Sequence, residues 1–424
     1  MKRFIIIVLL LATGAVLALP GAVGVVAEQQ QDRLVGEING FSNQLVRERY
    51  ERNWFSSESR YRYSIEDEQL RRLAAAVTEE PEGTPQLIVT TKMYHGPVPL
   101  ISGGSSPLAW TDMDSSLVLR APSGEEIELP GELRSRVEPD GSTRFIYSAA
   151  AETRALDNGL TLAWQDTRVD ITLGRSQKDL GVDGDIGVIR LFDKDAEIRV
   201  GPATVASDQE KSRNGIWTGD TDIRVSSVVL HEVEADNVTL ALRVLDDSDL
   251  ASYAVNLGAL NLRGEGLTGD ARIDFLAQRL DAEALSGLLE LMGEYPNGGP
   301  MPVTDRDALL RRILRGGPEI TVRTLRIPMS EADLEADAHI VVEPGTGATP
   351  RELARGLEGS ATLLVPKSLI EQLKTNGTAE ARNAIELMQR FRVLKPEGNR
   401  YRIEAKYAGS LLSVNGFPVP VPVF

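Results

Sequence analysis

The sequence contains no cysteine and only three histidines, His95, His231 and His339. The absence of cysteine excludes disulfides, thiolate metal sites, iron–sulfur clusters and cysteine nucleophiles. Three histidines spread over 424 residues do not predict a histidine-rich metal centre. We therefore expect no metal site, and no motif in the chain predicts a bound cofactor.

Basic residues are also in the minority, since 46 Lys and Arg against 62 Asp and Glu give a net charge of −16. A phosphate backbone would be repelled by this charge, so we expect no nucleic-acid partner. Hydrophobic types make up 42% and charged types 25% of the chain. These fractions, in a chain long enough for roughly two or three domains, exclude a collagen-like, wholly disordered or multi-span membrane protein.

One long apolar segment stands at the N-terminus, where Lys2 and Arg3 precede an uncharged run over residues 4–27. As a helix this run spans about 36 Å, which is enough to cross a hydrocarbon layer of about 30 Å. We predict a signal anchor over residues 1–27, with the remaining chain delivered to the far side of the membrane. A cleaved signal ending at Val25-x-Ala27 is the alternative. The lack of cysteine after the run excludes lipoprotein attachment.

The rest of the chain divides by its hydrophobic period. Residues 28–50 carry apolar residues at three- and four-residue intervals, which predicts a membrane-proximal helix. Residues 51–280 are mostly short alternating segments, which indicates a β-rich region of antiparallel strands with one apolar and one polar face. Residues 281–424 mix helix and strand patterns that we expect to pack on the same sheet. The predicted fold class is α+β: a predominantly antiparallel β-sheet ectodomain with several late helices, preceded by one N-terminal transmembrane helix.

Individual elements follow from the same periods. The predicted strands are 55–65, 86–94, 116–121, 144–149, 160–173, 187–192, 222–229, 238–245, 271–276, 319–327 and 332–342. The predicted helices are 66–78, 281–295, 305–315 with Thr304 as its cap, 368–374 and 379–391. A last hairpin of 401–407 and 411–414 is expected to close near Asn415 and Gly416. The tail from Pro418 to Phe424 is predicted to be extended and polyproline-like, because alternate prolines cannot donate a full ladder of hydrogen bonds.

The most conspicuous local grouping is His95-Gly96-Pro97, which follows the strand over 86–94. Gly96 permits an unusual backbone angle and Pro97 restricts the next one, so a sharp strand end with a structural His95 is the favoured interpretation. The alternative is a hydrolase site in which His95 acts with a nearby serine. The neighbours that would serve are Ser102, Ser105 or Ser106 as nucleophile, with Asp112 or Asp114 as the orienting acid.

Other motifs favour ordinary structural roles. Gly264, Gly266 and Gly269 have the spacing of a dinucleotide loop, but the alternating residues after them predict a glycine-rich hairpin. The Asp246–Asp249 run, the pair Asp183 and Asp185, and the pair Asp112 and Asp114 are interpreted as turn aspartates rather than calcium ligands. The aromatic and basic residues between Tyr50 and Tyr63 fit cross-strand pairs on a sheet, with contact to lipid headgroups as the alternative.

Several stretches together resemble the YdgA-like family of bacterial envelope proteins. They are residues 49–57 before an alternating strand, 94–100 with the histidine-glycine-proline element, 310–320 with Gly316-Gly317-Pro318, and 407–416 ending in Val-Asn-Gly. The resemblance implies a bacterial inner-membrane protein with a single N-terminal anchor, a large periplasmic β-rich domain and self-association as a homodimer. It carries over no catalytic residues. His95, Gly96, Pro97, Asn415 and Gly416 are transferred only as motif positions of unknown role.

Two classes of function stay open from the sequence. The first is a non-enzymatic binding or structural factor of the envelope, whose sheet binds a protein partner or an apolar ligand such as lipid. The second is the periplasmic hydrolase built on His95. An unfilled apolar channel would favour the first, and an open cleft joining His95 to a hydroxyl and a carboxylate would favour the second.

Overall fold

The computed structural model describes residues 45–66, 83–96, 109–155, 161–192, 197–230, 232–264, 266–294, 302–346 and 349–419, and single positions between 67 and 82. The chain forms two compact units. Unit 1 comprises residues 1–193 and 290–301, and unit 2 comprises residues 194–289 and 302–424. The described residues form 25 strands and five helices, which confirms the predicted predominance of antiparallel sheet in an α+β fold.

Unit 1 contains the first twelve strands. They are β1 (Leu45–Arg52), β2 (Ser56–Ser64), β3 (Gln86–His95), β4 (Thr111–Arg120), β5 (Glu126–Glu128), β6 (Glu132–Val137), β7 (Thr143–Ala149), β8 (Glu152–Ala155), β9 (Thr161–Trp164), β10 (Thr167–Leu173), β11 (Asp179–Ile186) and β12 (Ile189–Phe192). All their pairings are antiparallel, in the order β1-β2-β3-β4-β6-β7-β10-β11, with β5 beside the end of β4 and a second strip β8-β9-β12.

Unit 2 contains the other thirteen strands. They are β13 (Glu197–Val200), β14 (Ala203–Lys211), β15 (Trp217–Leu230), β16 (Val233–Asp247), β17 (Leu250–Gly264), β18 (Leu267–Asp281), β19 (Glu319–Ile327), β20 (Leu334–Val342), β21 (Leu357–Pro366), β22 (Lys395–Glu397), β23 (Arg400–Ala408), β24 (Leu411–Val414) and β25 (Phe417–Val419). They pair antiparallel from β14 through β21 and then β23-β24-β25, while β13 pairs with β15 and β22 with β23.

Five helices interrupt the later strands. They are α1 (Ala282–Glu294), α2 (Val303–Arg315), α3 (Pro350–Gly356), α4 (Lys367–Asn376) and α5 (Ala379–Arg390). Thr349 and Thr378 cap α3 and α5, because each hydroxyl accepts a hydrogen bond from the amide three residues later. None of the helices among the described residues has the length and apolar character that a membrane span requires. The anchor predicted over 1–27 lies outside the described residues.

Two buried clusters hold the helices of unit 2 to its sheet. Ala282 of α1 packs with Ile216, Val244 and Ala251. Ile370 of α4 and Ile385 of α5 pack with Val365 and Leu394, and Leu363 and Ile403 lie partly buried against them. Apolar burial therefore concentrates where a helix covers the sheet, as expected when one face of each strand is apolar.

The prediction of a helix over 28–50 is wrong at its C-terminal end. Residues 45–50 belong to β1, and the residues before them lie outside the described part of the chain. Leu45 and Val46 suit helical spacing, but pairing of β1 with β2 overrides that local preference. The aromatic and basic residues of this region do form cross-strand neighbours, as predicted, and Arg60 and Arg62 lie 3.3 and 3.1 Å from the Glu48 carboxylate.

Two boundary predictions are corrected by the structure. The strand predicted over 160–173 is two strands, because β9 pairs with β8 and β12 whereas β10 pairs with β7 and β11. Thr304 does not cap α2, because the amide of Arg306 already bonds the Pro302 carbonyl and the helix begins at Val303. The helix predicted over 66–78 lies mostly outside the described residues.

The C-terminal prediction is corrected as well. The hairpin of β23 and β24 closes at Gly409 and Ser410, and Asn415 with Gly416 closes the next hairpin, between β24 and β25. Pro418 lies within β25, because the outermost strand of a sheet tolerates a residue without an amide hydrogen. Residues 420–424 lie outside the described chain.

The structure confirms two of the predicted turns and contradicts a third. Gly264 to Gly269 does form a hairpin, since Gly264 pairs with Leu267 across the turn between β17 and β18. The run ending at Asp249 does reach a turn, between β16 and β17. The turn interpretation of Asp183 and Asp185 is wrong, because both lie inside β11 and pair with residues of β10.

Candidate functional site

His95 stands at the last position of β3, where the chain leaves the sheet of unit 1. Its amide donates a hydrogen bond to the Phe55 carbonyl at 2.8 Å, and the Gly96 amide donates to the Trp110 carbonyl at 3.1 Å. Gly96 has a φ of 111°, which a residue with a Cβ adopts only at a cost. The motif therefore ends a strand sharply, as predicted, while Pro97 lies outside the described residues.

The imidazole of His95 is almost completely buried, with 1% of the residue exposed. Neither ring nitrogen has a hydrogen-bond partner within the part of the chain that the structure describes. Burial, and secondarily the positive charge of Arg52, lowers the pKa of His95 to about 4. The ring is therefore neutral at neutral pH, and it matches neither the open catalytic cleft nor the backbone-satisfied structural residue considered from the sequence.

Small hydroxyl side chains lie on the same face of the sheet as His95. We name the buried residues Ser57, Ser59, Thr91, Thr111, Ser115 and Ser135 the hydroxyl patch. Their shared face follows from the register, in which His95 pairs with Thr111 and Thr91 pairs with both Ser59 and Ser115. Thr91 and Ser115 share a hydrogen bond of 2.8 Å. The hydroxyls of Ser57 and Ser59 have no hydrogen-bond partner among the described residues.

The acids proposed for a hydrolase lie on the other face. Asp112 pairs with Tyr94 and Asp114 with Lys92, so strand alternation turns both carboxylates away from the face of His95. Both lie within β4, so the turn interpretation of this pair is wrong. Asp112 is buried, and burial raises the pKa of Asp114 despite the nearby Arg134. Ser102, Ser105 and Ser106 lie outside the described residues.

Asn415 and Gly416 form the turn that joins β24 to β25. The Asn415 side chain accepts a hydrogen bond from the Glu404 amide at 2.8 Å and donates one to the Val393 carbonyl at 2.6 Å. Asn415 and Gly416 both have positive φ values, of 50° and 82°. These contacts are all within the chain, so the structure gives this pair a role in closing a hairpin.

An apolar face in unit 2 is the feature that sequence reasoning did not locate. Directly opposed residues of successive strands form one unbroken aliphatic row: Val205, Ile223, Leu240, Leu257, Ile273, Leu325, Ala336, Leu363 and Ile403. A second row runs beside it: Leu242, Val255, Phe275, Val322, Ala338, Ala361, Ala405 and Val414. We name the two rows together the apolar face. With strands about 4.8 Å apart, the first row is roughly 38 Å long.

Helices cover only the borders of the apolar face. Leu242 packs against the cluster of α1, and Leu363 and Ile403 pack against the cluster of α4 and α5. The residues between them are half-buried or exposed, and Leu257 is 38% exposed at the middle of the first row. Aliphatic side chains packed in a closed core would be almost fully buried. A strip of the apolar face is therefore left unfilled by the described residues.

The reverse of the same strands is mostly polar. Asn256 is exposed and lies between Ala241 and Asp274, and Arg272 pairs with Arg326. Alternation within each strand was visible in the sequence, but the alignment of nine aliphatic residues depends on the register between strands. Periodicity alone could not have identified it. Within the described ranges no three His, Asp or Glu side chains lie close enough to share a metal ion, and we assign no cofactor site.

Comparison with known proteins leaves the function open. No curated protein and no solved structure matches the chain. One family model matches residues 1–422, that of a bacterial protein of unknown function, DUF945. Because this match covers nearly the whole sequence, the chain belongs to the DUF945 family of bacterial proteins of unknown function.

Proposed function

We propose that this protein is a non-enzymatic, membrane-anchored envelope protein that binds the acyl chains of a lipid on the apolar face. In this proposal it resembles the YdgA-like proteins, with residues 1–27 in the bacterial inner membrane, the two units in the periplasm and the chain self-associating. The single observation that carries the lipid assignment is the row of nine aliphatic residues.

The chemistry of the apolar face favours acyl chains over a peptide. Its rows present aliphatic side chains and the ring of Phe275, with no side chain that could select a peptide by hydrogen bonds. Moving a methylene group out of hydrocarbon into water costs about 0.8 kcal/mol, so a lipid chain needs continuous apolar contact. The acyl layer of one leaflet is about 15 Å thick. A row of roughly 38 Å offers ample length for such a chain.

The anchor predicted from the sequence supports the same partner. An anchor formed by residues 4–27 would hold both units beside a bilayer, where lipid is the most abundant apolar ligand. The hydrolase alternative gains no support from the geometry, because Asp112 and Asp114 lie on the face opposite His95.

A photoactivatable fatty acid tests the proposal. The full chain is expressed in cells fed a diazirine-bearing fatty acid, irradiated, and mapped by mass spectrometry of its peptides. We expect crosslinks on β17 and β18, at the centre of the apolar face. Peptide mapping separates these sites from labelling of residues 1–27 by the surrounding bilayer.

Two adjacent substitutions supply a matched comparison. Leu257→Lys places a charge in the first row, whereas Asn256→Lys places the same charge on the polar face of the same strand. We expect Leu257→Lys to reduce crosslinking of β17 and β18 about tenfold and Asn256→Lys to leave it unchanged. Equal labelling of both variants, or labelling confined to residues 1–27, would refute the lipid assignment. A crosslink to a polypeptide at β17 would indicate a protein partner instead.

A further inference from the structure

A second surface, separate from the apolar face, exposes two large hydrophobic side chains at the end of α5. Leu387 is 51% exposed and Phe391 is 68% exposed, the highest value among the large hydrophobic residues that the structure describes. The two residues lie one helical turn apart and therefore on the same side of α5.

The helix that carries these side chains is firmly held. Ile385 is 3% exposed and packs with Met388 in the cluster that joins α4 and α5 to the sheet. The Phe391 amide donates to the Leu387 carbonyl at 2.9 Å, and the Val393 amide donates to the Met388 carbonyl at 2.8 Å. Leu387 and Phe391 therefore project from an ordered helix end, and the other side of this helix packs against the core.

The region around α5 is basic within an acidic protein. Residues 367–403 include eight Lys or Arg and four Asp or Glu, whereas the whole chain has a net charge of −16. Arg390 and Arg392 flank Phe391, and Lys395 follows in β22. None of these three cations forms an ion pair with a described residue. An exposed aliphatic and aromatic pair among uncompensated cations is typical of a surface that inserts into an anionic membrane interface.

We propose that the end of α5 docks on the surface of a bilayer rich in anionic phospholipid, with Leu387 and Phe391 inserted at the level of the headgroups. Each cation near an anionic surface is attracted to it, and burial of each hydrophobic side chain adds to that attraction. The acidic remainder of the chain is repelled by the same surface, so the basic end of α5 determines which side of unit 2 faces the lipid.

The absence of cysteine makes a direct test simple. Leu387→Cys and Phe391→Cys are introduced singly in the full chain and labelled with a fluorophore that brightens in apolar surroundings. The protein is reconstituted in vesicles of phosphatidylcholine alone, or of equal parts phosphatidylcholine and phosphatidylglycerol. Leu245→Cys is the matched control, because Leu245 is 57% exposed but lies on β16 beside Asp246 and Asp247.

We expect emission at positions 387 and 391 to rise about twofold in the anionic vesicles, with quenching by nitroxide-bearing lipids. The control at 245 should not change. Combining Arg390→Gln and Arg392→Gln with Leu387→Cys should abolish the increase. The proposal fails if both labels stay dim and unquenched in anionic vesicles, if the control responds equally, or if the increase survives loss of both arginines. This result is independent of whether the acyl probe labels β17, so the two proposals can fail separately.

Discussion

Two hydrogen bonds join Asn415 and Glu404 across the C-terminal strands. The Asn415 amide donates to the Glu404 carbonyl at 2.7 Å, and the Glu404 amide donates to the Asn415 side-chain oxygen at 2.8 Å. The same side chain donates to Val393, just beyond α5. One half-buried asparagine thus ties β23, a hairpin turn and the end of a helix together.

Removal of this side chain should destabilise unit 2. Asn415→Ala loses both side-chain hydrogen bonds and places alanine at a φ of 50°, so we expect a decrease of about 2–3 kcal/mol in the free energy of unfolding. Asn415→Gly loses the same bonds but suits the positive φ, so its decrease should be smaller by about 1 kcal/mol. Urea denaturation measures both. Equal stability of Asn415→Ala and the parent protein would contradict the role assigned to this residue.

The glycine pair after α2 offers a second test. Gly317 has a φ of 71°, and a Cβ there would lie 2.9 Å from the Val342 carbonyl oxygen. Gly317→Ala should therefore lower the free energy of unfolding by more than about 2 kcal/mol. Gly345→Ala is the control, since Gly345 has a φ of 84° but no atom within 4 Å of an added Cβ. The control isolates the backbone cost of about 1 kcal/mol, and thermal unfolding of both variants would show whether the close contact adds to it.

The hydroxyl patch gives opposite expectations for two similar serines. Ser115→Ala leaves the buried Thr91 hydroxyl without its 2.8 Å partner and should lower the free energy of unfolding by about 1–2 kcal/mol. Ser57→Ala removes a buried hydroxyl that has no hydrogen-bond partner among the described residues, so stability should stay equal or rise. Chemical denaturation compares the two. A loss at Ser57 as large as that at Ser115 would show that the Ser57 hydroxyl is bonded in solution.

Burial of His95 makes stability depend on pH. Its pKa falls from 6.5 to about 4 on folding, so the unfolded chain binds a proton between these values while the folded chain does not. Above pH 6.5 the ring is neutral in both states, and protonation does not affect stability. As the pH falls from 6.5 towards 4, the free energy of unfolding decreases by about 3 kcal/mol because only the unfolded chain takes up the proton. His95→Gln lacks this component, so its unfolding free energy should fall less steeply over that range. Parallel curves for the two proteins would contradict the buried, neutral imidazole.

Local patterns predicted several elements whose own residues carry a clear period. β19 and β24 have their predicted bounds. The helix over 282–294 is one residue shorter than predicted at each end, and the helix over 379–390 is one residue shorter at its C-terminal end. The helix predicted over 28–50 was wrong at residues 45–50, because pairing with β2 decided the structure of a segment whose own pattern is helical. The prediction that Asp112 lies in a turn was wrong for a similar reason. A buried strand position is unusual for an acidic residue, so the local pattern favoured a turn.

The sequence by itself determined an acidic, cysteine-free protein built from alternating antiparallel strands, because charge and period two are properties of neighbouring residues. Only the tertiary structure decided that Leu257 lies opposite both Leu240 and Ile273, and that Asp112 faces away from His95. The physical reason is register. A shift of one residue in the pairing of two strands exchanges their faces, and burial of the apolar side chains together with the geometry of the turns selects among those shifts.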